Sequence, residues 1–119
     1  MPSSDRTRTS SPLLMLAFAA FLLVAAGSAC AQDVEAKLVI RGNKFEPTEL
    51  TVPAGKKVKL TIENQDDTAE EFESYELNRE KVVPPKGRIV VYVGPLKPGR
   101  YPFFGDFHKD TANDVLIAQ

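Results

Sequence analysis

The residues of this chain best suited to chemistry are three glutamates, an aspartate and the single histidine. Glu70, Glu71 and Glu73 stand together in one short string, and Asp106 and His108 stand together in another. Carboxylates with one imidazole offer oxygen-rich ligation, which suits harder ions. Iron is favoured over cuprous copper, and Cu²⁺ is compatible because divalent copper binds most nitrogen and oxygen sites well. Catalytic hydrolysis has little to work with, since no Ser or Cys nucleophile sits in a recognisable motif beside the histidine. Each of these residues also has a plainer reading. The glutamates read as a solvated acidic edge that keeps a sheet from pairing with other chains. His108 reads as a loop histidine bonded to a backbone carbonyl, Asp106 as a cap on its own loop, and Asp66 and Asp67 as turn residues.

Strand phase limits which acids can act together. Successive side chains of a strand alternate faces, so if Phe72 points into a core, Glu70 lies on its side and Glu71 and Glu73 share the opposite one. All three converge only if the backbone bends there. Glu71 with Glu73 is the better pair by geometry, Glu70 the better candidate by position, and strand phase does not choose between them. Phe103, Phe104 and Phe107 flank the second string; core packing is their ordinary role, and an exposed pair would form a docking surface. Tyr75 and Tyr101 are placed to carry electrons near an iron site, or to be aromatics with hydrogen-bonded hydroxyls.

The elements that must position these groups begin after a leader. Met1 to Ala31 has the layout of a secretory signal: Arg6 and Arg8 form a basic start, and Pro12 to Ala26 is a nearly unbroken apolar run. That run is about fifteen residues, short of the ~20 a membrane-spanning helix needs. Cleavage after Ala29-Cys30-Ala31 divides the chain into a signal peptide, 1–31, and one domain, 32–119, directed to the periplasm. Acylation at Cys30 is the competing route; it would tether the same domain to a membrane, which is otherwise reached only through a partner. The only cysteine, Cys30, and both methionines, Met1 and Met15, lie in the leader, so the domain contains no sulfur. No disulfide staples it, and its core must hold it together. Of 15 basic and 16 acidic residues, Arg6, Arg8 and Asp5 leave with the leader, and the remainder carries a net charge of about −2. No basic patch interleaved with aromatics appears, which argues against nucleic acid.

Past the leader the chain alternates. Lys57 to Glu63 is the clearest strand, with Val58, Leu60 and Ile62 inward and lysines or acids outward; a helix would bury the lysines. Further strands are expected around Leu38 and Ile40, over Thr48–Val52, Phe72–Tyr75, Arg88–Val93, Arg100–Phe104 and Val115–Ala118. Gly, Pro and Asn clusters separate them, and Gly105 to Asp114 is a loop. Leu77 to Lys81 fits no pattern well. About seven short strands without an amphipathic helix predict an all-β sandwich.

The string Phe45-x-Pro47-x-x-Leu50-x-Val52-x-Ala54-Gly55-x-x-Val58-x-Leu60-x-Ile62-x-Asn64 resembles the N-terminal half of a cupredoxin domain. Tyr101-x-Phe103 and Leu116-Ile117 resemble the strands that enter and leave the copper loop. The resemblance implies a cupredoxin-like Greek-key sandwich. Type 1 copper in that family is held by two histidines, a cysteine and a weak axial methionine. Laid on this chain, the cysteine falls on Gly105, the second histidine on His108, the methionine on Ala112, and the first histidine on Glu70 or Glu71. One ligand of the set remains, so the resemblance excludes blue-copper electron transfer. Glu70-Glu71-Phe72-Glu73-Ser74 and Phe104-Gly105-Asp106-Phe107-His108 resemble cupredoxin-like domains of EfeO type, found in periplasmic iron uptake. In a cupredoxin the two loops meet at one end, which implies that Glu70, Glu71, Glu73, Asp106 and His108 gather there as a metal site. The expected function is a periplasmic accessory of iron, or of copper, transport. Its partners would be the metal ion and an iron permease or periplasmic iron-binding protein. The sequence carries no enzyme motif beyond a role in changing the iron's oxidation state. The alternative is a metal-free interaction module docking on a transport partner through its aromatic end.

Overall fold

Val58, Leu60, Ile62 and Asn64 are fully buried along β4 (Val58–Asn64) while the residues between them are half-exposed, the alternation expected of a strand covered on one side. In the computed structural model, residues 33–119 are described, so the expected leader and cleavage site lie outside the described residues. β4 pairs in parallel with β1 (Val34–Arg41) and antiparallel with β7 (Arg88–Val93), and β2 (Lys44–Glu46) folds back on β1. These make the first sheet, in the order β2-β1-β4-β7. The second has the order β3-β9-β8-β5-β6, formed by β3 (Glu49–Val52), β5 (Glu70–Ser74), β6 (Arg79–Val83), β8 (Gly99–Gly105) and β9 (Asn113–Ala118). The two inner faces bury Leu38, Ile40, Phe45, Leu60, Ile62, Phe72, Val83, Phe103 and Leu116. Phe45 packs edge-on against both Phe72 and Phe103, with ring centroids 6.1 and 5.1 Å apart, the arrangement ring quadrupoles favour.

The described residues thus form the expected all-β sandwich, with nine strands where about seven were read. The additional two are β2, three residues before the chain passes from one sheet to the other at Pro47-Thr48, and β6. β6 lies at a sheet edge with four of its five residues exposed, so its sequence has no alternation to read. Arg79 and Lys81 of β6 reach across the open side of the sandwich and donate to the carbonyls of Tyr92 and Val90 on β7. Charged side chains placed this way keep exposed edges from pairing with other chains.

One end of the sandwich is tied together by polar side chains. Buried Asn64 donates through Nδ2 to Thr68 O at 2.8 Å and Val83 O at 3.3 Å, and its Oδ1 accepts from Asp66 N at 2.9 Å, which folds the β4–β5 loop. Asp66 in turn accepts from Gly42 N and Asn43 N in the β1–β2 turn. Both turn residues have φ near +58°, the left-handed pair a two-residue hairpin requires and that Gly and Asn supply. Thr111 Oγ1 closes the circuit onto Asn43 O at 2.6 Å. The segment carrying Asp106 and His108, a single 3₁₀ turn over Asp106–His108 (η1), packs against β5, and Thr111 just beyond it is tied to the β1–β2 turn that Asp66 of the β4–β5 loop also holds.

Candidate functional site

β5 separates the acids by phase. Glu70, Phe72 and Ser74 point inward and are each at most 1% exposed, whereas Glu71 and Glu73 lie half-buried on the outer face. The backbone makes no bend that would bring all three glutamates to one side, and two distinct clusters result.

The inner cluster is Glu70 with His108. Glu70 Oε1 accepts from Glu71 N at 3.0 Å and Phe107 N at 2.9 Å, and Oε2 lies 2.5 Å from His108 Nδ1. His108 is 27% exposed at its side chain and Glu70 1%. A buried carboxylate is tolerated when donors surround it, and here two backbone N–H groups and an imidazole do so. Gly105 lies directly over this carboxylate: a Cβ there would fall 2.5 Å from Glu70 Cδ and under 3 Å from both oxygens.

The outer cluster is Glu71, Glu73 and Asp106. Each offers a carboxylate oxygen, and the three oxygens lie within 4.8 Å of one another. Glu80, which the sequence reading did not single out, joins them from β6: it stands directly opposite Glu73 in the β5–β6 pairing. Its hydrogen bond to Glu71 is the largest cause of a Glu71 carboxyl pushed up to about 7, with burial and the charges of Glu80, Asp106 and Glu73 adding to it. A neighbouring carboxylate disfavours the charged form of Glu71, which is why its proton is held to higher pH. Lys109 also went unread; its Nζ sits 3.0 Å from Asp106 Oδ1 and is held in its charged form mainly by that hydrogen bond. The signal for Glu80 lay in the hairpin: a short turn over Tyr75–Asn78 sets the register that brings Glu80 across from Glu73.

The aromatic residues divide as well. Phe103 is core, Phe104 is half-buried and packs against Tyr75 with ring centroids 5.4 Å apart and planes tilted by 54°, and Phe107 and Tyr75 are 50% and 72% exposed. Tyr101 donates its hydroxyl to Lys97 O. Asp66 serves the β1–β2 turn, whose N–H groups hold its carboxyl below the usual range. Asp67 is exposed beside Lys86.

Comparison with known proteins places this geometry in context. The profile of the cupredoxin-like domain family matches residues 13–118. An uncharacterized protein of Rickettsia prowazekii (strain Madrid E) is 44% identical over 107 residues, covering 88% of this chain and 86% of that one. Among solved structures, auracyanin A, a "blue" copper protein from Chloroflexus aurantiacus, superposes at a TM-score of 0.63 with 14% identity, over 73% of this chain and 99% of that one. A chain of a heme-copper terminal oxidase dimer superposes at 0.62 with 17% identity; the match takes in 74% of this chain but 66% of that chain, a little under two thirds of its length. At these identities the structural matches speak to the fold alone. The family profile spans most of the chain, and the fold is the corresponding two-sheet sandwich: this protein belongs to the cupredoxin-like domain family.

Proposed function

We propose that this protein is an exported, periplasmic metal-binding member of its family that takes a hard cation on the outer face of β5 and serves iron uptake, with divalent copper as the competing cargo. The observation that carries this reading is the outer cluster. Three carboxylate oxygens within 4.8 Å of one another, with the charge of Glu80 also acting on Glu71, form a patch of negative charge that Lys109 partly offsets at Asp106. A cation relieves that repulsion, and oxygen donors match iron better than a soft metal. Lys109, already paired with Asp106, supplies the counter-charge that an arriving ion displaces.

The copper that blue-copper relatives hold is a different matter. The thiolate position is Gly105, the space above it is filled by the Glu70 carboxylate, and His108 Nδ1 is engaged by that carboxylate. The residues present do not fit a type 1 centre, which needs a thiolate and two imidazoles. Electron transfer through such a centre is accordingly no part of the proposal. The cargo would pass to an iron permease or a periplasmic iron-binding protein.

Calorimetric titration of the purified protein with Fe²⁺, Fe³⁺ and Cu²⁺ tests the reading. One site is expected, abolished in the Glu71→Gln/Glu73→Gln double variant and preserved in Asp67→Asn, an exposed acid away from the cluster. Equal heats in both variants would remove the site. A second reading has its own support: Tyr75 and Phe107 are large and exposed in the same neighbourhood as the acids, and exposed aromatics are common anchors of docking surfaces. Under that reading the protein is a metal-free module that binds a transport partner, and the titrations show no heat.

A further inference from the structure

In the resemblance to blue-copper cupredoxins Gly105 and His108 fall on ligand positions and Glu70 or Glu71 on a third, yet Glu70, Gly105 and His108 together make a closed unit. All the contacts of the Glu70 carboxylate are internal: Glu71 N and Phe107 N on one oxygen, His108 Nδ1 on the other. The two amides belong to the residues immediately after Glu70 and immediately after Asp106, so one buried group fixes the backbone beside two members of the outer cluster. Gly105 makes the arrangement possible. Its φ of −92° and ψ of 111° are open to any residue, so glycine is not required by the backbone; it is required by the carboxylate that would meet a Cβ at 2.5 Å.

From this we infer that Glu70 is a positioning residue and not a metal ligand: it stands where a metal ion would tie β5 to the η1 segment, does that tying itself, and thereby holds Asp106 against Glu71 and Glu73. The last clause rests on the cation site proposed above; the first two do not. A pin of this kind acts as the partners behind metal ligands do, by fixing the geometry of groups that touch the ion, and loss of such partners typically weakens binding about 10- to 100-fold.

A ligand and a pin respond differently to the same substitutions. Glu70→Gln keeps an oxygen to accept both amides and offers His108 Nδ1 an N–H, so a pin survives it and a carboxylate ligand does not. Glu70→Ala removes the pin, and Gly105→Ala expels it without touching any acid. The probe is Mn²⁺, a divalent ion suited to carboxylate oxygens, titrated into the purified protein and the three variants at temperatures where circular dichroism shows each folded. Hydrogen exchange of the Glu71 and Phe107 amides is followed in parallel.

The expected result is Mn²⁺ affinity within about threefold of wild type for Glu70→Gln, and roughly 10- to 100-fold weaker for Glu70→Ala and Gly105→Ala. The two amides should be protected in wild type and Glu70→Gln and exposed in the other two. Loss of binding in Glu70→Gln equal to that of the Glu71→Gln/Glu73→Gln variant makes Glu70 a ligand and overturns the inference. Undiminished affinity in Glu70→Ala and Gly105→Ala, with only a lower melting temperature, reduces the pair to a fold contact and overturns it too. If wild type takes up no cation, the cation site fails instead, and the amide exchange alone judges the pin: fast exchange at Glu71 and Phe107 in wild type would sink it. Should Glu70→Ala not fold, Glu70→Gln and Gly105→Ala still separate ligand from pin.

Discussion

Glu70 and Glu71 are adjacent, chemically identical and in opposite electrostatic worlds. Glu70 is 1% exposed and meets only donors, two amides and an imidazole. Glu71, one step along the strand, meets Glu80, Asp106 and Glu73, and its carboxyl is pushed up to about 7. Strand phase alone makes the difference. The residue whose bonding is complete has nothing left to offer a ligand, while the residue left among like charges gains from any cation that arrives. The acidic string of this protein is therefore two devices laid back to back through one strand, and position in the family's ligand pattern does not say which acid is free to bind.

The sharpest way to test that division is to compare truncations on the two faces of β5. Phe72, inward and fully buried in contact with Phe45 and Phe103, should cost about 3–5 kcal/mol as Phe72→Ala. Glu70→Ala, which strands two amides and His108, should follow at about 2–4 kcal/mol. Glu73→Ala, outward and directly opposite Glu80, should be neutral or mildly stabilising, because like charges facing each other across a strand pair destabilise it. Urea unfolding of the three variants measures this. If Glu73→Ala proves as costly as Glu70→Ala, the two faces do not differ as described.

Much of the fold was legible because burial in a sandwich writes period-2 alternation directly into the sequence. Lys57 to Glu63 announces β4, and Arg88 to Val93 coincides with β7. What escaped was what alternation does not encode. β6 is an edge strand with only Val83 buried, so Leu77 to Lys81 offered no pattern; Leu77 is buried in the turn, not in a strand. The phase of β5 was readable from Phe72, and with it the placing of Glu71 and Glu73 on one face. The partners were not. That Glu80 faces Glu73 depends on hairpin register, and that Glu70 fills the space over Gly105 depends on two loops meeting at atomic distance. A glycine at a ligand position reads in sequence as a loss; in three dimensions it is room for a side chain from another strand.

The smallest expected effect probes the titration of Glu71 beside Glu80 on the outer face. Glu71's carboxyl is raised from an ordinary 4.5 to about 7, chiefly by Glu80, so between those values the folded protein binds more protons than the unfolded chain. Stability must then fall as pH rises through that window and stay low above it. Asp114, raised by burial alone, contributes in the same direction, and Asp66 and Glu63, lowered by hydrogen bonds from Gly42, Asn43 and Lys37, contribute the opposite slope at more acid pH. The difference between wild type and Glu80→Gln isolates the pair, because the other groups are common to both. The melting temperature of wild type should drop relative to Glu80→Gln as pH climbs from 4.5 to about 7, and Fe²⁺ added above that range under anaerobic conditions should recover the loss in wild type. A difference that stays constant across the window would mean that Glu80 does not raise the Glu71 carboxyl, and the outer face would then be an ordinary solvated acidic edge.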